Sequence, residues 1–172
     1  MNRITLMDLR RSTTKRNFYA EGLLFEGYIK DLFSQDSFKL KRWRKSFKVP
    51  EDTYIGDMSG PDLELMFKGR NSKPFAVECK YRSRFYDRMV GWASENQIKK
   101  YIEFQNKKGM TVLIAIGVGG TASNPKKLFI TPLDHIKMHT HVFESHLIRF
   151  ERNPRCRIET AEQLELFDLK GE

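Results

Sequence analysis

The run Thr111-Val112-Leu113-Ile114-Ala115-Ile116, apolar after its first residue, constrains the fold more than any other stretch of the chain. Side chains of a strand alternate between two faces, so a run apolar on both faces requires cover on both. A bilayer cannot supply it, because a spanning helix needs about 20 apolar residues. Helices of the same chain must therefore pack on either side, and two segments have the required spacing. Ser12-Thr13-Thr14 offers N-caps for a helix running to Phe33, with apolar residues at Phe18, Leu24/Phe25, Tyr28/Ile29 and Leu32. Ser94-Glu95-Asn96-Gln97 reads as a capping box opening a second helix through Asn106, closed by Lys107-Lys108-Gly109.

Strands are predicted over residues 62–68 and 74–82, separated by the turn-forming Gly69-Arg70-Asn71-Ser72, and at Leu128-Phe129-Ile130-Thr131. A further strand from Phe38 continues toward Val49 as an exposed basic segment, and residues 84–91 read as a loop. Gly117-Val118-Gly119-Gly120 reads as a turn, since it lacks a Gly-Lys-Ser/Thr and a full dinucleotide fingerprint. Helix, strands, helix, strands without strict alternation predicts an α/β fold with a mixed central sheet flanked by helices.

At 172 residues the chain suits one domain whose core needs no staples. Lysine and arginine outnumber aspartate and glutamate 31 to 22, and the net charge of +9 favours a polyanionic partner, nucleic acid first. No signal-peptide hydrophobic region is visible, so a soluble, cytoplasmic protein without membrane contact is expected. Cys79 and Cys156 form no Cys-x-x-Cys pair, which argues against a disulfide framework or a cysteine zinc site, and Cys79 reads as a reduced thiol facing the core. His135, His139, His141 and His146 share one region, but no spacing there matches a zinc motif. Serine-histidine and cysteine-histidine catalysis lack a supporting pattern.

Chemistry concentrates at Pro61-Asp62 and Phe75-Ala76-Val77-Glu78-Cys79-Lys80. Alternation puts Glu78 and Lys80 on one strand face and Val77, Cys79 and Tyr81 on the other. An antiparallel neighbour starting at Asp62 would bring a second carboxylate alongside. Taken singly, Pro61-Asp62 is turn chemistry and Glu78 with Lys80 a solvated strand pair. Together, two acids and a lysine are costly near a core unless a divalent ion balances them. Magnesium or manganese suits oxygen ligands and lowers the pKa of a bound water, with Asp62 and Glu78 as the carboxylates. Lys80 would then orient the attacking water or stabilise charge on the phosphate, whereas proton acceptance would need a depressed pKa.

This pattern resembles the signature of the P-D-(D/E)-x-K nuclease superfamily. Glu26, in Leu24-Phe25-Glu26-Gly27-Tyr28, is similar to the helical acid preceding that signature in many members, with Glu21 competing for the role. Gln97 and Tyr101 match the Q-x-x-x-Y element of the RecB-like and Holliday-resolvase-like branches. The resemblance covers residues 18–131 and implies a restriction-endonuclease-like fold. It also implies the Cys79 backbone carbonyl as a third metal ligand and Glu26 as a completing ligand or a holder of a second ion, the metal count staying open. Gln97 has two compatible readings, a cap on the Ser94 amide and a phosphate contact at a helix N-terminus. Tyr101, one turn on, contacts nucleic acid or simply packs.

Lys39, Lys41, Arg42, Arg44, Lys45 and Lys48 cluster around Trp43 and Phe47, and Arg82, Arg84 and Arg88 follow Lys80. Lys41, Arg42, Arg44, Arg82 and Arg84 are the candidates for nucleic-acid contact, Arg82 foremost because it continues the Glu78 and Lys80 face. A solvated surface is the alternative. Residues 159–172 read as a tail after a nuclease domain of residues 1–158. Within it Gln163-Leu164-Glu165-Leu166-Phe167 resembles the bacterial sliding-clamp-binding pentapeptide Q-L-(S/D)-L-F, departing at its third place. Gln163, Leu164, Leu166 and Phe167 would enter a cleft on the clamp. The competing reading is a C-terminal helix capped by Thr160, with Leu164 and Phe167 docked on this chain's own core.

The expectation is a magnesium- or manganese-dependent DNA endonuclease, structure-selective or weakly sequence-specific, serving DNA repair, recombination or mobile-element processing. A homodimer would set two sites on two strands. The alternatives are a catalytically inactive nucleic-acid-binding module of the same fold and an RNA-directed nuclease.

Overall fold

The computed structural model describes residues 6–44, 60–69 and 72–164. The chain opens with helix α1, Leu6–Leu32. Ser12, Thr13 and Thr14 lie inside it rather than capping it, which costs only a few tenths of a kcal/mol per residue in a helix interior. Strands β1 (Phe38–Trp43), β2 (Leu63–Phe67) and β3 (Pro74–Arg82) follow, then a short β4 (Met89–Gly91) and helix α2 (Glu95–Lys108). Strands β5 (Thr111–Thr121) and β6 (Asn124–Pro132) form a hairpin. A helical turn at Leu133–Ile136, β7 (His141–Phe143), a second helical turn at Glu144–Leu147 and β8 (Glu151–Arg152) complete the sequence of elements.

Six strands form one sheet in the order β1-β2-β3-β5-β6-β8. β3 and β5 run parallel, joined by the α2 crossover, and the other pairs are antiparallel. The two-sided cover expected for the 111–116 run is present. Leu113 and Ala115 pack with Phe25, Ile29 and Leu32 of α1, while Val112, Ile114 and Ile116 pack with Ile98, Tyr101 and Phe104 of α2. Each fully buried aliphatic side chain here stabilises the fold by about 1.5–3 kcal/mol relative to exposure.

Gly117-Val118-Gly119-Gly120 is not a turn. It continues β5, and the reversal comes later, at the two residues Ala122 and Ser123 between Thr121 and Asn124. The glycine at 117 serves helix packing, since a Cβ there would lie 2.4 Å from Cε2 of Phe25. The 84–91 segment is likewise more ordered than expected, because β4 pairs with β7 in a separate two-stranded sheet. Three-residue strands are too short to show periodicity. The capping box and the left-handed Gly109 C-cap of α2 are as predicted.

After β8 the chain returns to α1. Ser34 donates its N–H to Ile158 O, Ile158 donates its own to Leu32 O, Ala161 is buried, and Ile158 and Leu164 join the α1-side core. Among the described residues no helix is long and apolar enough to cross a membrane.

Candidate active site

The sheet alternation resolves β3 as expected. Phe75, Val77, Cys79 and Tyr81 pack toward α1, which turns Glu78 and Lys80 to the α2 side with Ala76. Antiparallel pairing of Leu63 with Val77 brings Asp62, one residue before β2, beside the middle of β3. There Asp62 Oδ2 accepts the Cys79 N–H at 2.8 Å. Lys80 Nζ donates to Glu78 Oε1 at 2.5 Å and reaches the Tyr101 hydroxyl on α2 at 3.3 Å.

From the other face α1 supplies Glu26, whose Oε2 accepts the Trp43 indole N–H at 3.3 Å. Trp43 ends β1, and the next residue, Arg44, donates its N–H to Asp62 O at 2.8 Å. Four elements thus converge on three carboxyls, each 4–6 % exposed: Glu26, Asp62 and Glu78. Glu21 is not among them; its charge acts instead on the Tyr81 hydroxyl, adding to the rise that burial causes there.

Desolvation and mutual repulsion govern the electrostatics. Burial first, then the charges of Glu78 and Glu26, push the Asp62 carboxyl up to about 8. Burial also raises Glu26, with the Trp43 hydrogen bond opposing it and Glu78 adding to it. Tyr101 is raised far above a free phenol by burial and by Glu78 beside it, and the Cys79 thiol is raised by burial and by Asp62.

Two features test whether a divalent cation suits these residues. Glu78 Oε2 is a buried oxygen with no hydrogen-bond partner, and the charges of Glu78 and Glu26 raise Asp62 even with Lys80 paired to Glu78, so the cluster has room for further positive charge. The donors are hard oxygens, the chemistry magnesium and manganese take. Among the described residues no group of three or more His, Cys, Asp or Glu side chains is gathered at ligand spacing. The four histidines, all exposed, hold no such group either. Asp62 lies within electrostatic reach of both Glu78 and Glu26.

The remaining candidates distribute unevenly. Tyr101 joins the site through Lys80. Gln97 is exposed, and its side-chain oxygen accepts the Ser94 N–H at 3.1 Å while its own N–H goes to Ser94 Oγ at 3.3 Å, so its capping role is realised. Arg44 is half-buried beside the acids, with Nε and Nη1 buried and unpartnered. Lys41 and Arg42 are exposed on β1, Arg42 pairing with Glu64. Arg82 turns inward: Nε donates to Gly91 O at 2.7 Å, Nη1 to Tyr81 O at 2.8 Å and Nη2 to Trp92 O at 3.4 Å. Burial lowers its pKa. Arg84 lies over the Tyr86 ring. Lys45, Phe47 and Lys48 lie outside the described residues.

The clamp reading of the tail needs correction at Leu164. That side chain is fully buried in the α1-side core and cannot also fill a partner's cleft. Gln163 Oε1 accepts the N–H groups of Glu159 at 2.6 Å and Thr160 at 2.9 Å, a local turn that serves the docking. Leu166 and Phe167 lie outside the described residues. Sequence reasoning missed Trp43 as a partner of Glu26, a contact between side chains of two separate elements.

No protein-family model matches the chain, and no curated protein matches it. Among solved structures it is similar to the Archaeoglobus fulgidus Hjc, a Holliday junction resolvase from an archaeal hyperthermophile, with a TM-score of 0.51 and 17% identity. The match covers 73% of this chain and 89% of the resolvase. The architecture, a mixed central sheet flanked by helices, is thus of the restriction-endonuclease-like type.

Proposed function

We propose that the chain is a divalent-metal-dependent DNA endonuclease that selects its substrate by structure and acts in recombination or repair. The observation that carries this reading is the convergence of Asp62, Glu78 and Lys80, with Glu78 Oε2 buried and unpartnered among mutually repelling acids. Asp62 and Glu78 would hold magnesium or manganese, the Cys79 carbonyl and Glu26 being further candidates. A cation held there supplies an activated water at neutral pH and charge to offset the phosphate.

The chain's own residues do the rest. The Cys79 N–H fixes Asp62 Oδ2, so the carboxylate is held at one end and free at the other. The Trp43 indole likewise orients Glu26. Lys80, tethered between Glu78 and the Tyr101 hydroxyl, presents an ammonium that orients the nucleophile or steadies charge developing on the phosphate. Arg44, whose Nε and Nη1 have no protein partner, would be a candidate to bind a phosphate oxygen. Lys41 and Arg42 on the exposed strand add backbone contacts, and a second copy of the chain would supply a second site for the opposite strand.

Labelled duplex, single-stranded, flap and four-way-junction DNA, with an RNA control, incubated with and without magnesium, tests this reading. Metal-dependent cleavage that favours branched DNA supports it. Cleavage without metal, or of RNA alone, contradicts it.

A further inference from the structure

Residues 84–91 are not used by the chemistry above, yet they are built with unusual care. Tyr86 and Met89 exchange both backbone hydrogen bonds, at 2.9 and 2.8 Å, around Asp87 and Arg88. Both central residues have positive φ, 48° and 61°, the backbone of a tight two-residue hairpin that ordinarily calls for glycine or asparagine. An arginine in that region costs about 1–2 kcal/mol. The tip is nonetheless pinned, since the Glu144 N–H is donated to Arg88 O at 2.8 Å and β4 is paired to β7. Below it, Arg82 braces Gly91 and the fully buried Trp92.

This rigid hairpin presents Tyr86, which is 62 % exposed, with the Arg84 guanidinium 4.5 Å from its ring centre. Beside it lies a cavity of about 370 Å³ lined by Arg82, Arg84, Tyr86, Asp87, Met89 and His141 among others. A carboxylate, an imidazole and guanidinium donors suit the mixed donor and acceptor edge of a nucleobase, while Asp87 disfavours a bare phosphate. The cavity begins where β3 ends, with Arg82 two residues beyond Lys80. At about 3.3 Å per residue that is roughly 7 Å, or about two base steps at 3.4 Å each.

Resting on the nuclease reading, we propose that the Arg84–Tyr86 hairpin and its cavity receive one unpaired base about two steps from the scissile phosphate. The site thereby distinguishes DNA with an unpaired nucleotide from continuous duplex. Tyr86 supplies the stacking face and Arg84 holds the ring in place, so Tyr86 is a specificity residue and not a catalytic one.

The test uses the full chain, calcium in place of magnesium, and two DNAs labelled with 2-aminopurine: one with a single unpaired nucleotide at a branch, one a blunt duplex. Base–aromatic stacking is worth about 1–3 kcal/mol per base, so Tyr86→Ala should weaken binding of the branched DNA about 5- to 150-fold. Duplex affinity should hold, and Tyr86→Phe should restore both the affinity and the 2-aminopurine quenching seen with the wild type. Equal losses on both DNAs, no loss on either, failure of Tyr86→Phe to rescue, or no binding of DNA at all would overturn the inference. The readout is binding and base environment, so a protein that stacks the base but cuts nothing would sink the nuclease reading and leave this one standing. Normal cleavage with unchanged discrimination in Tyr86→Ala would do the reverse.

Discussion

At the scale of single residues, the site is governed by acids that are buried close to one another. Lys80 is the cation paired with Glu78, so its removal leaves a buried carboxylate uncompensated, a loss of about 3–5 kcal/mol in such settings. Lys80→Met keeps the side-chain stem and removes the charge. It is expected to lower single-turnover cleavage at least about 100-fold while DNA affinity, read by anisotropy in calcium, changes little. Asp62 allows a prediction from pH. Its carboxyl titrates at 3.8 when free and at about 8 in the fold, so the folded protein retains a proton that the unfolded chain has lost across that window. The stability contributed by that proton is present below 3.8 and is lost as pH rises through about 8. Urea unfolding of the ion-free protein should therefore show stability falling over this range, and Asp62→Asn should flatten the fall. Magnesium competes with the same proton, so its apparent affinity should rise with pH in the same window. A stability profile identical in wild type and Asp62→Asn would contradict the assignment. These residues were legible in the sequence because strand alternation places Glu78 and Lys80 together without knowledge of the rest. The Trp43 to Glu26 contact was not, because it joins side chains of two elements whose relative placement no local pattern encodes.

At the scale of elements, α1 and α2 hold the acids by packing on opposite faces of β3 and β5. At Gly117 α1 lies so near β5 that a Cβ there would meet the Phe25 ring 2.4 Å away. Gly117→Ala should cost about 1–3 kcal/mol in urea unfolding. Because Phe25 adjoins Glu26, cleavage should fall with it. Gln97→Ala separates two roles by measurement. If capping is its whole contribution, stability falls by about 0.5–1 kcal/mol and DNA affinity stays constant. A loss of affinity at unchanged stability would instead make Gln97 a phosphate contact. The long apolar run and the capping box made β5 and α2 readable from sequence. β4 and β7 were not, since three residues carry no period, and Gly117-Val118-Gly119-Gly120 misled because glycine marks a turn more often than a helix contact.

At the scale of the molecule, the proposed reading requires a +9 chain to bring phosphates to an acidic centre, with cations outside that centre providing the attraction. Binding should weaken steeply with salt, the slope of log affinity against log salt being about −0.9 per duplex phosphate contacted. Lys41→Ala should reduce that slope by about one contact. The C-terminal segment belongs to the fold as far as Leu164: Leu164→Ala should destabilise by about 2–5 kcal/mol, a core penalty and not a partner effect. The likeness to a solved resolvase at 17% identity establishes architecture, so the activity rests on the site itself. The most direct measurement of that activity is cleavage of a labelled four-way junction by the wild type and by Asp62→Asn across a magnesium titration. The account predicts magnesium-dependent cutting by the wild type and its loss, at retained junction binding, in Asp62→Asn. Cutting that persists undiminished in Asp62→Asn, or a wild type that binds the junction and leaves it intact at every magnesium concentration, would contradict it.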